Sequence, residues 1–356
     1  MNKYCCLFIV SAAMSLGAAC SKTAPEVPVP VPETAVGHCG TGTVCIRLEG
    51  GTATKVTHPS AESEKQCHRW TFWLFDQDGD SVVYGNGQAG EEIRRTVLTG
   101  TYTAVALVNG PAGLDPVSVK KIDDIRLRVA DLADNAPSEL LMYGETRLTL
   151  EKDLTVEAAI QVKRLVAKVG VKKISVAFEN PYLAAKTTVL EAVYLTNVYR
   201  SARLGSDFSE EELSPSRSAW YNAMGWHLSG ENSPACDLLL GETGLDAVLT
   251  PSAPHTDDHF FYAFPNPVPQ ERDTHQDDWS VRCTRMVLQV AVGGKVFYYQ
   301  IAVPQMERNK VYLAEEVVLK NLGSQDPELE IPGSVDVVFS VFGADWDEDY
   351  SITENS

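Results

Sequence analysis

The sequence predicts an all-β protein built from two tandem β-sandwich domains, with a few short helices. Three observations carry this. Apolar residues recur with period two in many short runs, as in Val335, Val337, Phe339 and Val341, the spacing that lines one face of a strand. Clusters such as Asn109-Gly110-Pro111 punctuate these runs and favour turns. The chain has 356 residues, 44% of them hydrophobic, enough to bury about two cores of ordinary domain size.

Residues 1–19 read as an export signal. Lys3 supplies a positive start, residues 5–16 form a mostly apolar run too short to span a bilayer, and Gly17, Ala18 and Ala19 place small residues before Cys20. The order resembles a lipoprotein signal, in which the Cys20 thiol takes diacylglycerol and becomes the new N-terminus. The usual large aliphatic residue is displaced by one, since Gly17 stands three before the cysteine and Leu16 one further back. A plain secretory signal ending near Ala19, with Cys20 incidental, is the alternative. Residues 20–42 form a tether in which Pro25, Pro28, Pro30 and Pro32 alternate with Val and Glu. Such segments are stiff and extended, and lift a folded body off a membrane.

The first domain is placed at 43–162. Trp70, Phe72 and Leu74 alternate with Arg69, Thr71 and Trp73; the turn Asp76-Gln77-Asp78-Gly79-Asp80 follows, and Val82-Val83-Tyr84 resumes the strand. This is a hairpin signature. Residues 101–109 form a strand, 117–132 hold one helix, and 148–163 give one or two more strands. The second domain is placed at 163–356. It opens on Arg164-Leu165-Val166-Ala167-Lys168-Val169, with later strands at 188–198, 260–264, 286–292, 296–303, 311–319 and 334–342. The Ser-, Pro- and Gly-rich stretch 205–254 reads as a long surface insertion.

The net charge is −18. An acidic surface repels phosphate backbones and anionic lipid, which argues against nucleic-acid binding. Beyond Cys20, the exported chain keeps Cys39, Cys45, Cys67, Cys236 and Cys283. Cys39 with Cys45, and Cys236 with Cys283, are possible pairs in an oxidising compartment, and the pairing stays open. No C-x-x-C pair occurs, so zinc-type spacing is missing.

Gly85-Asn86-Gly87-Gln88-Ala89-Gly90 matches G-x-G-x-x-G, but Glu91-Glu92 and a β-like stretch follow where a helix N-terminus is needed, so it reads as a loop. The 76–80 run lacks the rest of a calcium loop and reads as a turn. His255 and His259 lie four apart among prolines, with Thr256 where a zinc protease motif needs Glu; an exposed loop is the reading. There is no G-x-S-x-G elbow. No catalytic residue, metal or cofactor is assigned. Trp220, Tyr221 and Trp226 either stack on sugar or, the preferred reading, pin the insertion onto the sandwich.

The C-terminal segment is the most informative. Val335, Val337, Phe339 and Val341 fall on one face of a strand behind the polar segment 323–327, which reads as a hinge. Such a strand folds back as a sheet edge or leaves to complete a neighbour's sheet.

Together these residues resemble the fimbrillins, the FimA-like pilins of type V pili on anaerobic Gram-negative bacteria. The resemblance runs over most of the mature chain. Its clearest parts are Arg164 to Val169, Glu307-Arg308-Asn309-Lys310-Val311-Tyr312, Gly323 to Glu328 and the terminal strand ending at Ala344-Asp345-Trp346. The 70–83 hairpin, the 102–109 strand and Leu141-Met142-Tyr143-Gly144-Glu145 also fit the family's first domain. The resemblance implies two transthyretin-like sandwiches and export as a lipoprotein to the outer membrane. It implies proteolytic loss of a first strand, here 43–51, and filling of the groove by another subunit's C-terminal strand, here 334–342. Four apolar side chains so buried are worth about 6–10 kcal/mol before ordering costs.

One departure concerns maturation. The family's protease cuts after an arginine between the first strand and the first hairpin, and residues 52–66 contain none. Arg47 lies in the first strand and Lys55 in the linker, so cleavage falls at one of these, or the subunit stays uncut as an anchor. The intact C-terminal strand favours a stalk over a tip. The implied partners are other pilin subunits, the outer membrane before processing, and a host or bacterial surface receptor. The competing readings are a non-polymerising surface lipoprotein that binds glycan or host protein through 220–226, and an exported hydrolase.

Overall fold

A computed structural model describes residues 40–49, 64, 66–111, 113–223, 231–232, 237–270 and 280–342. The first half contains β1 (Thr41–Glu49), β2 (Trp70–Phe75), β3 (Ser81–Gly87), β4 (Ile93–Leu98), β5 (Gly100–Val108), α1 (Ile122–Arg126), β6 (Val129–Asp131), β7 (Met142–Leu150) and β8 (Thr155–Gln161). Two sheets, one ordered β4-β1-β8 and the other β3-β2-β5-β7 with the short strand Lys163–Arg164 added beside β7, enclose a core that includes Val44, Ile46, Trp70, Phe72, Leu74, Ile93, Tyr102 and Ile160. Alternation explains β2 only in part. Trp70, Phe72 and Leu74 fill this core, whereas Trp73 and Phe75 fill a second one on the opposite face. A strand covered on both sides loses its polar face.

The second half continues with β9 (Lys163–Arg164), β10 (Ala167–Val171), β11 (Ile174–Val176), α2 (Pro181–Ala184), β12 (Thr188–Thr196), β13 (Val198–Tyr199), β14 (Ser201–Arg203), β15 (Trp220–Asn222) and β16 (Glu231–Asn232). It ends with α3 (Asp237–Leu240), β17 (Gly241–Leu249), β18 (His259–Ala263), β19 (Arg285–Val292), β20 (Lys295–Ala302), β21 (Val311–Leu319) and β22 (Val335–Phe342). One sheet runs β11-β21-β10-β18, with β22 paired to β21, and another runs β17-β12-β19-β20. Their inward side chains include Val169, Leu190, Tyr194, Leu288, Tyr299, Tyr312 and Val317. This core also takes in Trp73, Phe75, Val105 and Leu107 from the first half, and β6 pairs with β14 across the chain.

The turns follow local chemistry. Asp76 accepts from the amides of Asp78 and Asp80 at 3.0 and 2.9 Å, and Gly79 adopts a φ of +77° that a side chain would oppose. Two expectations need correction. The 117–132 region is not one helix but a 3-10 turn at Pro116–Ser118, α1, β6 and a second 3-10 turn at Leu132–Asp134; Asp115 and Asp131 each cap the start of a 3-10 turn, and extended backbone at Val119 and Asn135 ends it after three residues. The 205–254 stretch is not all surface insertion, because β17 forms an integral strand against β12. Its exposed outer face gave it a polar composition.

Candidate functional site

The candidate site has two parts, the groove that holds β1 and the strand β22. β1 lies between two neighbours. Thr41 to Ile46 pair antiparallel with β4, and Thr43 to Glu49 pair parallel with β8. Val44 and Ile46 are fully buried, and Leu48 packs against the same core. Gly42 faces inward too, where a Cβ would meet the Glu151 carbonyl at 2.7 Å. Gly42, Val44, Ile46 and Leu48 therefore form an inward row at every second position. Removing β1 would unpair two strand edges and open the core to water.

Arg47 points outward, 3.3 Å from both Glu49 and Glu157. Its backbone is in register with Ala159 of β8. Lys55 and Cys20 lie outside the described residues, as do Cys39, Cys236 and Trp226. Cys45, Cys67 and Cys283 are free thiols. Burial pushes the pKa of all three up, which keeps them protonated and unreactive near neutrality.

β22 forms an edge. It pairs antiparallel with β21 from Leu319↔Val335 to Val311↔Phe342. Val335, Val337, Phe339 and Val341 pack half-buried against the second core, while Val338 on the other face is 67% exposed. The expected donor face is thus turned to the protein but incompletely covered.

The hinge read at 323–327 is corrected by its contacts. Ser324 and Tyr298 exchange backbone hydrogen bonds of 3.0 and 2.7 Å, and a Cβ at Gly323 would sit 2.4 Å from the Tyr298 carbonyl. Arg282 pairs with Glu328 at 3.4 Å and Arg285 with Glu330 at 3.1 Å. Both arginines are buried, so this strap is held by charges that lose hydration. The turn from Ile331 to Ser334, with Gly333 at φ +72°, is closed by a 3.1 Å bond and tied to the end of β21, where the Lys320 and Asn321 amides donate to the Ser334 carbonyl at 2.8 and 3.3 Å. A polar composition does not distinguish a strap from a hinge, because the partner arginines, Arg282 and Arg285, lie far back along the chain.

The remaining motifs resolve simply. Gly85 and Gly87 lie in β3 and a turn follows at Gly90. His259 is not in an exposed loop. It is buried at the start of β18, its Nδ1 is 2.8 Å from Glu242 and its Nε2 is 2.7 Å from Nε2 of His255. Among the described residues, no group of three or more His, Cys, Asp or Glu is placed to hold a metal ion. Trp220 and Tyr221 are buried. The Trp220 indole donates to the Ser214 carbonyl at 2.9 Å and packs with Tyr199 and Leu213, so it pins the loop and offers no stacking face.

These features define an all-β, two-layered fold in which β1 is the first and β22 the last of the described strands. No family model matches the sequence, and no curated protein does so significantly. Solved structures do match. A candidate cell adhesion protein from Bacteroides eggerthii superposes with a TM-score of 0.63 at 18% identity, covering 85% of this chain and 96% of that one. A fimbrilin from Porphyromonas gingivalis gives 0.59 at 12% identity, over 84% and 96% of the two chains. The tip fimbrial protein Mfa3 from Porphyromonas gingivalis, with a C-terminal truncation, gives 0.51 at 14% identity, over 86% and 99%. The chain shares their fold.

Proposed function

We propose that this protein is a non-enzymatic structural subunit of a type V pilus, and that copies join by strand exchange. In this reading the chain is exported as a lipoprotein, held at the outer membrane through Cys20, and trimmed after β1. β22 of one copy then fills the groove that β1 leaves in another. Its partners are further pilin subunits, and the finished fimbrium supports adhesion to a surface receptor. The role is that of a stalk, since β22 is intact.

One observation carries the reading. β1 and β22 each present four inward positions at alternate residues, Gly42, Val44, Ile46 and Leu48 in one and Val335, Val337, Phe339 and Val341 in the other. β1 is deeply buried, whereas β22 is half-covered at an edge. An edge strand that leaves loses one row of hydrogen bonds, and in a two-sided groove it gains two. The shared fold with fimbrial and adhesion proteins supports the same reading. Of the two candidate cleavage positions, Arg47 fits poorly, because a protease needs an unpaired extended chain and Arg47 is paired with β8.

The test is limited trypsin digestion followed by electrophoresis without boiling. Trimmed wild-type protein forms ladders, and a chain truncated before Ser334 gives monomer only. Ladders from the truncated chain would remove β22 from the account.

A further inference from the structure

Glu64 lies in the stretch between β1 and β2, yet its side chain is only 1% exposed. An isolated carboxylate is costly to bury and is retained where partners compensate it. Here Lys168 of β10 donates to Glu64 Oε1 at 2.7 Å, and the Tyr262 hydroxyl of β18 donates to the same oxygen. Arg164 Nε donates to the Glu64 backbone carbonyl at 3.2 Å. Lys168 and Tyr262 are themselves buried. Burial lowers the Lys168 pKa and Glu64 opposes that shift, while burial and then the Glu64 charge push the Tyr262 phenol up.

A second hold follows directly. The Asn109 side-chain amide donates to the Gln66 carbonyl at 2.9 Å, and its oxygen accepts from the His68 amide at 3.0 Å. Asn109 is buried, with a φ of +53° at the turn after β5. The chain is thus tied to the second half at residue 64 and to the first half at 66 and 68. None of these contacts involves β1.

We propose that Glu64 is a clamp that sets the boundary of the removable N-terminal segment, so that processing stops upstream of it and the trimmed end stays fixed to the folded body. The inference rests on the reading that β1 is removed. A protease must draw several residues around the cut bond into an extended form, so a bond beside a buried, doubly bonded carboxylate is cut only when that anchor opens. The Lys65–Gln66 bond is therefore protected although trypsin favours lysine.

Trypsin digestion of the full chain, with mass spectrometry of the resistant body, tests this. In the wild type the body begins upstream of Glu64. In Glu64→Ala a body beginning at Gln66 appears, with the Lys65 bond cut at least about tenfold faster. Should the alanine variant fail to give a β-type circular dichroism spectrum, Glu64→Gln keeps the size and the Tyr262 contact; its Lys65 cutting should fall between the two. Wild-type protein cut at Lys65 from the outset, or folded variants cut there no faster, would overturn the clamp. The same digests are scored for ladders. A wild-type body that begins upstream of Glu64 but stays monomeric upholds the clamp and removes strand exchange, whereas ladders from a wild-type body beginning at Gln66 remove the clamp alone.

Discussion

At the scale of single residues, the proposed removal of β1 makes its side chains matter in the uncut protein only. Ile46 is fully buried in the uncut protein. Its replacement by alanine should destabilise that form by about 2–5 kcal/mol in a denaturant titration. The assembled filament, which lacks β1, should dissociate at an unchanged rate. A second residue-scale prediction concerns pH. His255 faces His259, with Glu242 and Asp257 nearby, and burial followed by the His259 neighbour holds its pKa below the usual histidine range. A group depressed on folding binds its proton more readily when unfolded, so its contribution is full above about pH 6.5 and is lost as pH falls through the lower folded value. The melting temperature should drop between pH 7 and pH 5, and the drop should be smaller in His255→Gln. Single residues were also where the sequence was least legible. Glu64 and the Arg282–Glu328 and Arg285–Glu330 pairs join positions with no local pattern. His259 has no apolar periodicity to mark it as buried.

At the scale of elements, β22 is the informative piece. Phe339→Asp alters a half-covered side chain on an edge strand. It should cost the monomer about 1–3 kcal/mol, measured by thermal unfolding, and abolish ladders after trimming. A variant that polymerises normally would show that the row of apolar side chains is not what the groove reads. Strand positions were legible wherever period two was clean, as in β20, β21 and β22, because one face of each meets a core and the turns between them are chemically marked. The burial of the second face was illegible where both faces are covered, as in β2 and β5, and the strand itself was missed where composition is polar on an open face, as in β17. The 117–132 segment was read as one helix, but extended backbone at Val119 and in β6 divides it into short turns, two of them begun by aspartate N-caps.

At the scale of the whole molecule, the sheet-rich two-layered architecture was legible from composition, turns and strand count. The continuity of the larger core was not, since Trp73 and Val105 in the first half meet residues that lie far along the chain. The same scale holds the central claim, that a neighbour's β22 replaces β1. The most direct measurement is photo-crosslinking from position 339, with benzoylphenylalanine in place of Phe339, before and after trypsin trimming. Uncut protein should crosslink within the chain, to β21 near Ala314. Trimmed protein should crosslink between chains, to groove residues such as Ile93, Val97, Ala158 and Ile160. Crosslinks that remain within one chain and confined to β21 after trimming, in samples that nonetheless form ladders, would contradict it.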